Sequence, residues 1–340
     1  MKRITSRDVA KKAEVSQSLV SFILNNATDK KIRPETKARV LKVAKELGYQ
    51  INYNAKNMKS SKASAIGLLS YWDASSFVFP SVVKGINSVC IKNDVGVYIC
   101  SGKKNSSGNY DFVDYYLQNR IDGLLYISYV GVERKGIIAE LEKAGIPFVC
   151  IIGARDIPNV SCVDVSFTES GYMAVKHLVS KGYKRIAYIP DAEFETMNYA
   201  EKERIAGSQK AAAEHGVQLN VGVPIQYEGK LKNLVIEEFF QKLTYDSVIS
   251  TSLNCFGILK GAAQKGIKVP EQLGVISLDN EIFAPYLYPS LTTVDEPLEE
   301  IARMSTSILM DKIINNTICM KTEISPGLSQ RESTAIELSP

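Results

Sequence analysis

A short stretch near the start of the chain carries small polar side chains at helical spacing. Gln17, Ser18, Ser21 and Phe22 lie at positions i, i+1, i+4 and i+5, so one side of a helix would present them together. Amide and hydroxyl groups donate and accept hydrogen bonds, and a phenyl ring offers one apolar contact. Such a face suits the reading of base edges in the major groove of DNA. The alternative is a solvated helical hairpin, although surface helices usually carry Lys and Glu there.

Two short helices joined by a tight turn are predicted to position this face. Thr5 and Asp8 have the spacing of a capping box, in which each side chain satisfies a free backbone N–H of the first helical turn. The apolar pattern breaks at Glu14 and starts again at Ser16, which is a good N-cap residue. The second helix is therefore expected to begin at Ser16.

Apolar residues on these helices predict a small core closed by a third helix. In the second helix Val20 and Leu24, with help from Ile23, are expected to face inward. The third helix is indicated by Pro34 in its first turn and Gly48 just past its end. These signals predict an all-α helix-turn-helix head.

Charge is divided unevenly along the chain. Residues 1–62 contain 15 Lys and Arg against 5 Asp and Glu, a net charge of +10. Residues 63–340 contain the remaining 26 basic and 32 acidic side chains, a net charge of −6. A basic head on an acidic body is typical of proteins that bind DNA phosphates, because neutralised phosphates release counterions. A basic surface that faces only solvent is the alternative.

The sequence contains few residues that could bind a metal ion or catalyse a reaction. Its six cysteines include no C-x-x-C pair, and its only histidines are His177 and His215. We therefore expect buried thiols in a reducing compartment, with no metal and no cofactor. Motifs such as G-x-x-x-x-G-K-[ST], H-E-x-x-H and G-x-S-x-G are missing, so we do not expect an enzyme.

No segment of the sequence has the pattern of a membrane span or of a signal peptide. No run approaches the roughly 18 apolar residues that a transmembrane helix needs. The first ten residues, MKRITSRDVA, lack the apolar core of a secretory signal. We therefore expect a cytoplasmic protein without a membrane partner.

From Ala65 onward, short apolar runs alternate with helical patterns, with helices expected at 81–93, 110–119 and 133–144. This rhythm is typical of βαβ units and predicts parallel sheets. The strand candidates form two sets, at 65–70, 95–100, 122–128 and 147–152 and then at 185–190, 223–227, 246–251 and 273–278.

The residues VSQSLVSFILN at 15–25, preceded by DVAKKAEVS, resemble the recognition helix and turn of the lactose-repressor-like (LacI/GalR) family of bacterial regulators. The resemblance extends over nearly the whole chain. It departs from the family at Glu14, Leu19 and Phe22, where the family usually has Gly, Thr and Arg. An Arg there would read guanine, so Phe22 implies a thymine methyl or another apolar contact and a different operator.

The resemblance also gives a role to residues 51–62, which by themselves fit a bare linker as well. In the family this segment is a hinge helix that folds on operator DNA and inserts an apolar wedge into the minor groove. Met58 matches the wedge, and Ile51 stands where the family has Pro. The predicted DNA-binding residues are Thr5, Ser16, Gln17, Ser18, Ser21, Phe22, Asn25, Asn52, Ala55, Lys56 and Met58.

The resemblance implies a fold and its domain limits. Behind the head, residues 1–50, and the hinge, residues 51–62, it implies an α/β core of two doubly wound parallel-sheet lobes, similar to periplasmic binding proteins. The chain is expected to cross between the lobes three times, near 162, 291 and 322. Lobe 1 would then hold about 63–161 and 292–321, and lobe 2 about 162–291 and 322–340.

Ligands of such sheets bind outside the carboxyl ends of the strands. Arg204 and Asp279 match family residues that face the cleft, and a guanidinium with a carboxylate suits a polyhydroxylated or ionised molecule. An ordinary solvated arginine and a turn or cap aspartate are the alternatives. Phe77 and Trp72, which follow the first strand, and Asn254 are weaker candidates for the same pocket.

These expectations combine into one function. The chain is interpreted as a homodimeric transcription regulator, a repressor, that binds double-stranded operator DNA and is controlled by a small-molecule effector such as a carbohydrate. A solute-binding receptor is an alternative with the same core fold, against which the basic head argues. An enzyme is a further alternative, without a supporting motif.

Overall fold

The computed structural model describes residues 4–24, 32–49, 64–70, 79–106, 108–128, 134–191, 197–222, 227–228, 233–234 and 244–335. The chain divides into two compact units, residues 1–64 and residues 65–340. The first unit is the predicted head, and the second is the predicted core.

Three helices form the head: α1 (Ser6–Ala13), α2 (Gln17–Leu24) and α3 (Pro34–Glu46). The predicted capping box is confirmed at the start of α1. The Thr5 backbone N–H donates to the Asp8 carboxylate over 2.8 Å, and the Thr5 hydroxyl oxygen accepts from the Asp8 backbone N–H over 3.3 Å. The Ser16 hydroxyl oxygen accepts from the Leu19 backbone N–H over 3.2 Å, as expected of an N-cap residue.

The head core consists of small and β-branched side chains from all three helices. Its fully buried members are Val9, Ala10, Ala13, Val20, Ile23, Val40, Val43 and Ala44. The sequence assigned the inward face of α2 to Val20 and Leu24 with help from Ile23. Val20 and Ile23 are buried, whereas Leu24 is only partly buried. Since Val20 and Ile23 are three residues apart, they lie on the same side of the helix.

Lobe 1 of the core is a six-stranded parallel sheet in the order β13-β5-β4-β3-β1-β2. Its strands are β1 (Ala65–Ser70), β2 (Gly96–Cys100), β3 (Leu124–Ile127), β4 (Phe148–Ile151), β5 (Cys162–Val165) and β13 (Lys321–Ile324). Its helices are α4 (Phe79–Asn93), α5 (Asp111–Leu117), α6 (Arg134–Lys143) and α10 (Leu298–Asn315). All four residues of β3, of β4 and of β5 are buried, as in parallel sheets covered on both faces.

Lobe 2 holds the second sheet, in the order β14-β12-β11-β10-β6-β7, in which only β14 runs antiparallel to its neighbour. Its strands are β6 (Arg185–Tyr188), β7 (Gln218–Val221), β10 (Ser247–Ser250), β11 (Gly274–Ser277), β12 (Thr292–Asp295) and β14 (Gly327–Ser329). Its helices are α7 (Phe167–Ser180), α8 (Tyr199–His215) and α9 (Ser252–Gln264), and a separate two-stranded sheet pairs β8 (Tyr227–Glu228) with β9 (Asn233–Leu234).

The three crossings between the lobes occur later than the sequence indicates. Crossings were expected near 162, 291 and 322, yet β5 and β13 belong to the first sheet and β12 to the second. Each crossing therefore follows the carboxyl end of a strand that still pairs with the sheet before it. The lobe limits move to the ends of these strands, because backbone pairing, which the sequence pattern does not reveal, decides the sheet.

The edge strand of lobe 2 also differs from the prediction. The run at 223–227 was expected to be a strand of the sheet, but β7 at Gln218–Val221 pairs with β6 instead. Residues 223–226 lie outside the described part of the chain. The polar composition of β7 hid it from a search for apolar runs.

Helices α7 and α8 approach each other unusually closely. A Cβ atom at Gly171 would lie 1.8 Å from the Arg204 carbonyl oxygen, and one at Gly207 would lie 1.8 Å from the Thr168 carbonyl oxygen. Only glycine fits at either position, because no side chain can occupy that space. This approach brings Arg204 beside Phe167, with the guanidinium carbon 5.1 Å from the ring centre.

Candidate functional site

The predicted DNA-reading residues of α2 share one exposed face. Gln17, Ser18 and Ser21 are exposed, and Phe22 is half-buried. The side-chain amide of Gln17 donates to the Ser6 hydroxyl oxygen over 2.9 Å, which ties the start of α2 to α1. This face presents hydroxyl and amide groups and no charged side chain, as base reading in the major groove requires.

The structure describes some of the other predicted DNA-binding residues and not the rest. Ser16 and Ser18 are exposed, and their hydroxyl oxygens lie 3.0 Å apart. Thr5, just before α1, is also exposed, and the capping box fixes its side chain. The remaining predicted contacts, Asn25, Asn52, Ala55, Lys56 and Met58, lie outside the described residues.

The two helices on either side of α2 in the sequence carry exposed basic side chains. Lysines and arginines of α1 and α3 are exposed, and Lys12 forms an ion pair with Glu46 over 3.1 Å. The exposed basic residues are Arg7, Lys11, Lys12, Arg33, Lys37, Arg39, Lys42 and Lys45. Such side chains bind phosphates without regard to sequence, and they complement a face that reads bases.

Glu14 ends α1 in a conformation that favours glycine. Its φ is +52° and its ψ is +49°, so its backbone lies in the left-handed region. A residue with a Cβ atom is disfavoured there by roughly 1–2 kcal/mol, whereas glycine is not. This angle gives a physical reason for glycine at the turn between α1 and α2.

We expect Glu14→Gly to raise the free energy of unfolding of the head by about 1 kcal/mol, because the positive φ no longer costs energy. Thermal unfolding followed by circular dichroism measures the change. Glu14→Ala is the matched control, since it removes the same charge and keeps the Cβ atom. An equal gain in both variants would assign the effect to charge and contradict the backbone explanation.

A pocket of about 480 Å³ lies in the core at the carboxyl ends of β11 and β12. This volume is typical of sites for small molecules. The pocket takes Ser81 from α4 of lobe 1 and Asp279 from lobe 2, together with the crossing segment at 295–298. Its lining residues are Ser81, Asp279, Asn280, Ile282, Asp295, Glu296, Pro297, Leu298, Glu299, Glu300 and Arg303.

Asp279 lines this pocket and also stabilises a helix start. Its Oδ1 accepts from the Ser252 backbone N–H at the start of α9 and from the Ser277 hydroxyl, each over 2.6 Å. A carboxylate at a helix N-terminus is favoured by the helix dipole. Asp279 is therefore a cap residue, which was one of the two alternatives, and its ligand-binding role stays a prediction.

Arg204 is buried rather than solvated. Its guanidinium donates to the Glu296 carboxylate and lies 3.6 Å from the Glu201 carboxylate, and only 3% of the residue is exposed. The solvated alternative is therefore wrong. Glu296 and Glu201 were not identified from the sequence. Glu296 lies 92 positions away, and only its contact with Arg204 across the fold reveals its role.

The two carboxylates beside Arg204 are held in a low-dielectric environment. Burial raises the pKa of both Glu201 and Glu296, and the Arg204 charge opposes that rise. Glu201 also accepts from the Tyr188 hydroxyl over 3.1 Å. One guanidinium thus pairs with two carboxyl groups beside the pocket.

Asn254 is fully buried and does not line this pocket. Its amide donates to the Asp191 carboxylate over 3.1 Å and to the Ser250 hydroxyl over 2.9 Å. Because Asn254 lies in the first turn of α9, these bonds connect that helix to β10 and to the segment after β6. Trp72 and Phe77, the aromatic candidates, lie outside the described residues.

Asp164 is a further buried carboxylate, at the end of β5 in lobe 1. It accepts from the backbone N–H groups of Gly153, over 3.0 Å, and Val165, over 2.9 Å. Burial raises its pKa to about 6 despite these two bonds.

The described residues contain neither a metal site nor a membrane-spanning helix. Within the described ranges, no group of His, Cys, Asp and Glu side chains is arranged to hold a metal ion. Among the described helices, none has the length and apolar content needed to cross a membrane.

The sequence matches two family descriptions at positions that correspond to head and core. Residues 5–52 match the bacterial regulatory proteins of the lacI family, and residues 175–334 match the periplasmic binding protein-like domain. Residues 5–52 are thus a lacI-family helix-turn-helix domain, which the chain combines with a periplasmic binding protein-like domain. The predicted fold class, an all-α helix-turn-helix head with an α/β core of two parallel-sheet lobes, is thereby confirmed.

Relatives and solved structures agree with LacI-family membership. Catabolite control protein A of Priestia megaterium is 23% identical, over 93% of this chain and 94% of that protein. The HTH-type transcriptional repressor PurR of Aliivibrio fischeri (strain MJ11) is 29% identical, over 91% of each. A lac repressor dimer bound to operator and the anti-inducer ONPF has a TM-score of 0.82 at 18% identity, covering 98% of this chain and all of that one.

A second solved structure has the same fold. The transcriptional regulator CelR in complex with cellobiose has a TM-score of 0.68 at 23% identity, covering 97% of this chain and all of that one. At such identities the likeness to both structures shows the fold. The relative PurR is named as a transcriptional repressor.

Proposed function

We propose that this LacI-family chain is a homodimeric repressor that acts in the cytoplasm and binds a palindromic operator. A small polar molecule in the pocket between its lobes would set its operator affinity. The observation that carries the proposal is the uncharged polar face of α2 on a basic three-helix head. A surface helix without a partner gains nothing from excluding Lys and Glu, whereas a helix in a major groove needs short donors and acceptors.

The DNA-reading role is assigned to the α2 face and to the predicted hinge contacts. In this proposal Gln17, Ser18 and Ser21 bond base edges, and Phe22 supplies an apolar contact to a thymine methyl. Head lysines and arginines contact phosphates. Lys56 and Met58 would act in the minor groove, with Met58 as a wedge that bends the duplex.

The effector role is assigned to the pocket that contains Asp279, with Arg204 behind Glu296. The related CelR structure contains cellobiose, which favours a carbohydrate or a related metabolite here. An effector that binds one arrangement of the lobes more tightly than another would shift the protein between states of high and low operator affinity. Operator DNA and effector would then change each other's affinity by the same factor.

A homodimer is supported by large apolar side chains that lobe 1 exposes. β2 is the edge strand of its sheet, and its Ile99 is 68% exposed. Ile91 on α4 and Leu117 at the end of α5 are also largely exposed. Exposed apolar groups in this number mark protein interfaces, and an unpaired edge strand needs a cover. A second copy of the chain would bury them and place two heads on two operator half-sites.

The experiment that tests the proposal begins with genome-wide footprinting of the sites that the chain occupies. The recovered operator then serves for binding measurements with Phe22→Ala. We expect this variant to lose about 1–3 kcal/mol of cognate binding and to relax the base preference at one position, because one apolar base contact is removed. Fluorescence anisotropy with cognate and substituted duplexes measures both effects.

Lys42→Ala is the control for this measurement, since it is expected to weaken cognate and random-sequence binding alike and to reduce the salt dependence. Circular dichroism of Phe22→Ala checks that the head stays folded, because Phe22 is half-buried. Equal losses on cognate and random duplexes would contradict the base-reading role of Phe22. A wild-type chain that binds no duplex at modest ionic strength would contradict the proposed function as a whole.

A further inference from the structure

Carboxylates dominate the lining of the core pocket. Five of its lining residues are acidic, and only Arg303 is basic. The acidic members are Asp279, Asp295, Glu296, Glu299 and Glu300. Ser81 and Asn280 add neutral polar groups. A pocket for a phosphorylated or carboxylated ligand would need the opposite balance, since such ligands are recognised by Arg, Lys and helix N-termini.

Three of the five acidic residues have a basic partner. Glu299 pairs with Lys84 over 2.7 Å, and Glu300 pairs with Arg303, with all four side chains largely exposed. Solvent screens such pairs, so they contribute little charge to the pocket. Glu296 pairs with Arg204, and the same guanidinium also contacts Glu201 inside the protein.

Asp279 and Asp295 are bonded only to neutral groups. Asp279 accepts from a backbone N–H and a hydroxyl, as described above. Asp295 accepts from the Thr293 hydroxyl over 2.6 Å and from the Ser329 hydroxyl. Among the described residues, neither carboxylate forms an ion pair with Lys or Arg. Both face the pocket with their negative charge uncompensated.

Burial and the charge of Asp279 raise the pKa of two neighbouring carboxyl groups, those of Glu281 and Glu296. Burial and the Asp279 charge raise the pKa of Glu281 to about 7. Burial raises the pKa of Glu296, and the charges of Asp279 and of Asp164 in lobe 1 raise it further. A positive charge in the pocket would favour the ionised forms of Glu281 and Glu296.

We propose that the effector of this pocket is a small cation, a molecule whose protonated amine lies between Asp279 and Asp295. The proposal rests on the proposed function, which makes this pocket the effector site. The amine donates charge-assisted hydrogen bonds to the two carboxylates, and neutral hydroxyls of the same ligand reach Ser81 and Asn280. The amine can be carried by a sugar ring or by an alkyl chain, and the two sources are separated by the test.

Isothermal titration of the full chain with matched probes tests the charge. Glucosamine is compared with glucose, which lacks the amine, and with glucosamine 6-phosphate, which adds an anion. Putrescine is compared with succinate, which reverses the charge on the same four-carbon frame. We expect at least one of the two amines to bind at least tenfold more tightly than its uncharged or anionic counterpart.

Variants assign the binding to the two carboxylates. Asp279→Asn and Asp295→Asn keep the shape and the hydrogen-bond acceptor of each side chain and remove its charge, so each is expected to weaken amine binding at least tenfold. Asp311→Asn is the matched control, because Asp311 is exposed on α10 outside the pocket and its loss changes the net charge equally. It is expected to leave binding unchanged.

Three outcomes overturn the inference: a neutral or anionic probe that binds as tightly as the amine, amine binding that survives both Asp→Asn substitutions, or the absence of binding by either amine. Operator binding is measured in parallel by electrophoretic mobility shift. If the wild-type chain binds its operator while the amines fail, the charge inference is wrong and the proposed regulator stands. If operator binding itself fails, the proposed function is wrong.

Discussion

Gly207→Ala is expected to lower the free energy of unfolding of the core by about 3 kcal/mol or more. The added Cβ atom would lie 1.8 Å from the Thr168 carbonyl oxygen, far inside the sum of the van der Waals radii. The conflict is with backbone, so no side-chain rotation can relieve it and α7 and α8 must move apart. Chemical denaturation followed by far-ultraviolet circular dichroism measures the loss in the free energy of unfolding.

Gly136→Ala is the matched control for this substitution. Gly136 also lies within a helix, α6, but a Cβ atom there would meet nothing within 4 Å. The same change is therefore expected to stabilise the chain by about 0.5–1 kcal/mol, because alanine restricts the unfolded chain and favours helix. Similar effects at the two glycines would mean that helix propensity, rather than the close approach of α7 and α8, determines the result.

Arg204→Met is expected to destabilise the core by about 3–5 kcal/mol near pH 8. The substitution preserves much of the side-chain volume and removes the one basic group that pairs with Glu201 and Glu296 among the described residues. Both carboxylates are buried and their pKa is already raised, so without the guanidinium they must stay protonated or ionise at high cost.

The sign of the pH dependence distinguishes this explanation from simple loss of packing. A carboxyl group whose pKa is raised on folding stabilises the folded state at low pH and loses that contribution as pH rises through the folded pKa. Arg204→Met is therefore expected to be less destabilised at pH 5 than at pH 8, measured by urea denaturation at both values. Adding Glu296→Leu removes one of the two carboxylates and is expected to recover part of the loss at pH 8. A loss that is the same at both pH values would assign the effect to packing.

Local chemistry made the head predictable. The capping box at Thr5 and Asp8 and the cap at Ser16 each involve residues three positions apart, and such contacts are visible in the sequence. The side of α2 that faces the core was predicted at Val20 and Leu24 with help from Ile23, and the structure buries Ile23 more deeply than Leu24. Both residues are apolar neighbours, so only the packing of the folded head selects between them.

The core was predictable where its strands are apolar and buried. β3, β4, β10 and β11 lie within the predicted runs, because a strand covered on both faces is mostly apolar. β7, β12 and β13 were missed, since each contains polar or charged residues, and β7 and β13 lie at sheet edges. Their pairing depends on partners distant in sequence.

The pocket illustrates the same limit. Arg204 and Asp279 were identified from the resemblance, but their surroundings were not. Glu296 meets Arg204 because it directly follows β12, which pairs in the sheet of the lobe that carries α8. The acidic balance of the pocket likewise depends on which carboxylates have basic partners, and only the folded structure supplies that information.

The last two strands of the chain complete one sheet each. β13 forms the outer edge of the lobe 1 sheet, and β14 forms the outer edge of the lobe 2 sheet. During synthesis on the ribosome, the lobe 1 sheet lacks its edge strand until residue 324 has emerged and the lobe 2 sheet until residue 329 has emerged, although the head is made first. A nascent chain therefore carries a finished DNA-binding head well before it has a complete regulatory body, and a premature stop codon ahead of β13 would leave both lobes without an edge strand.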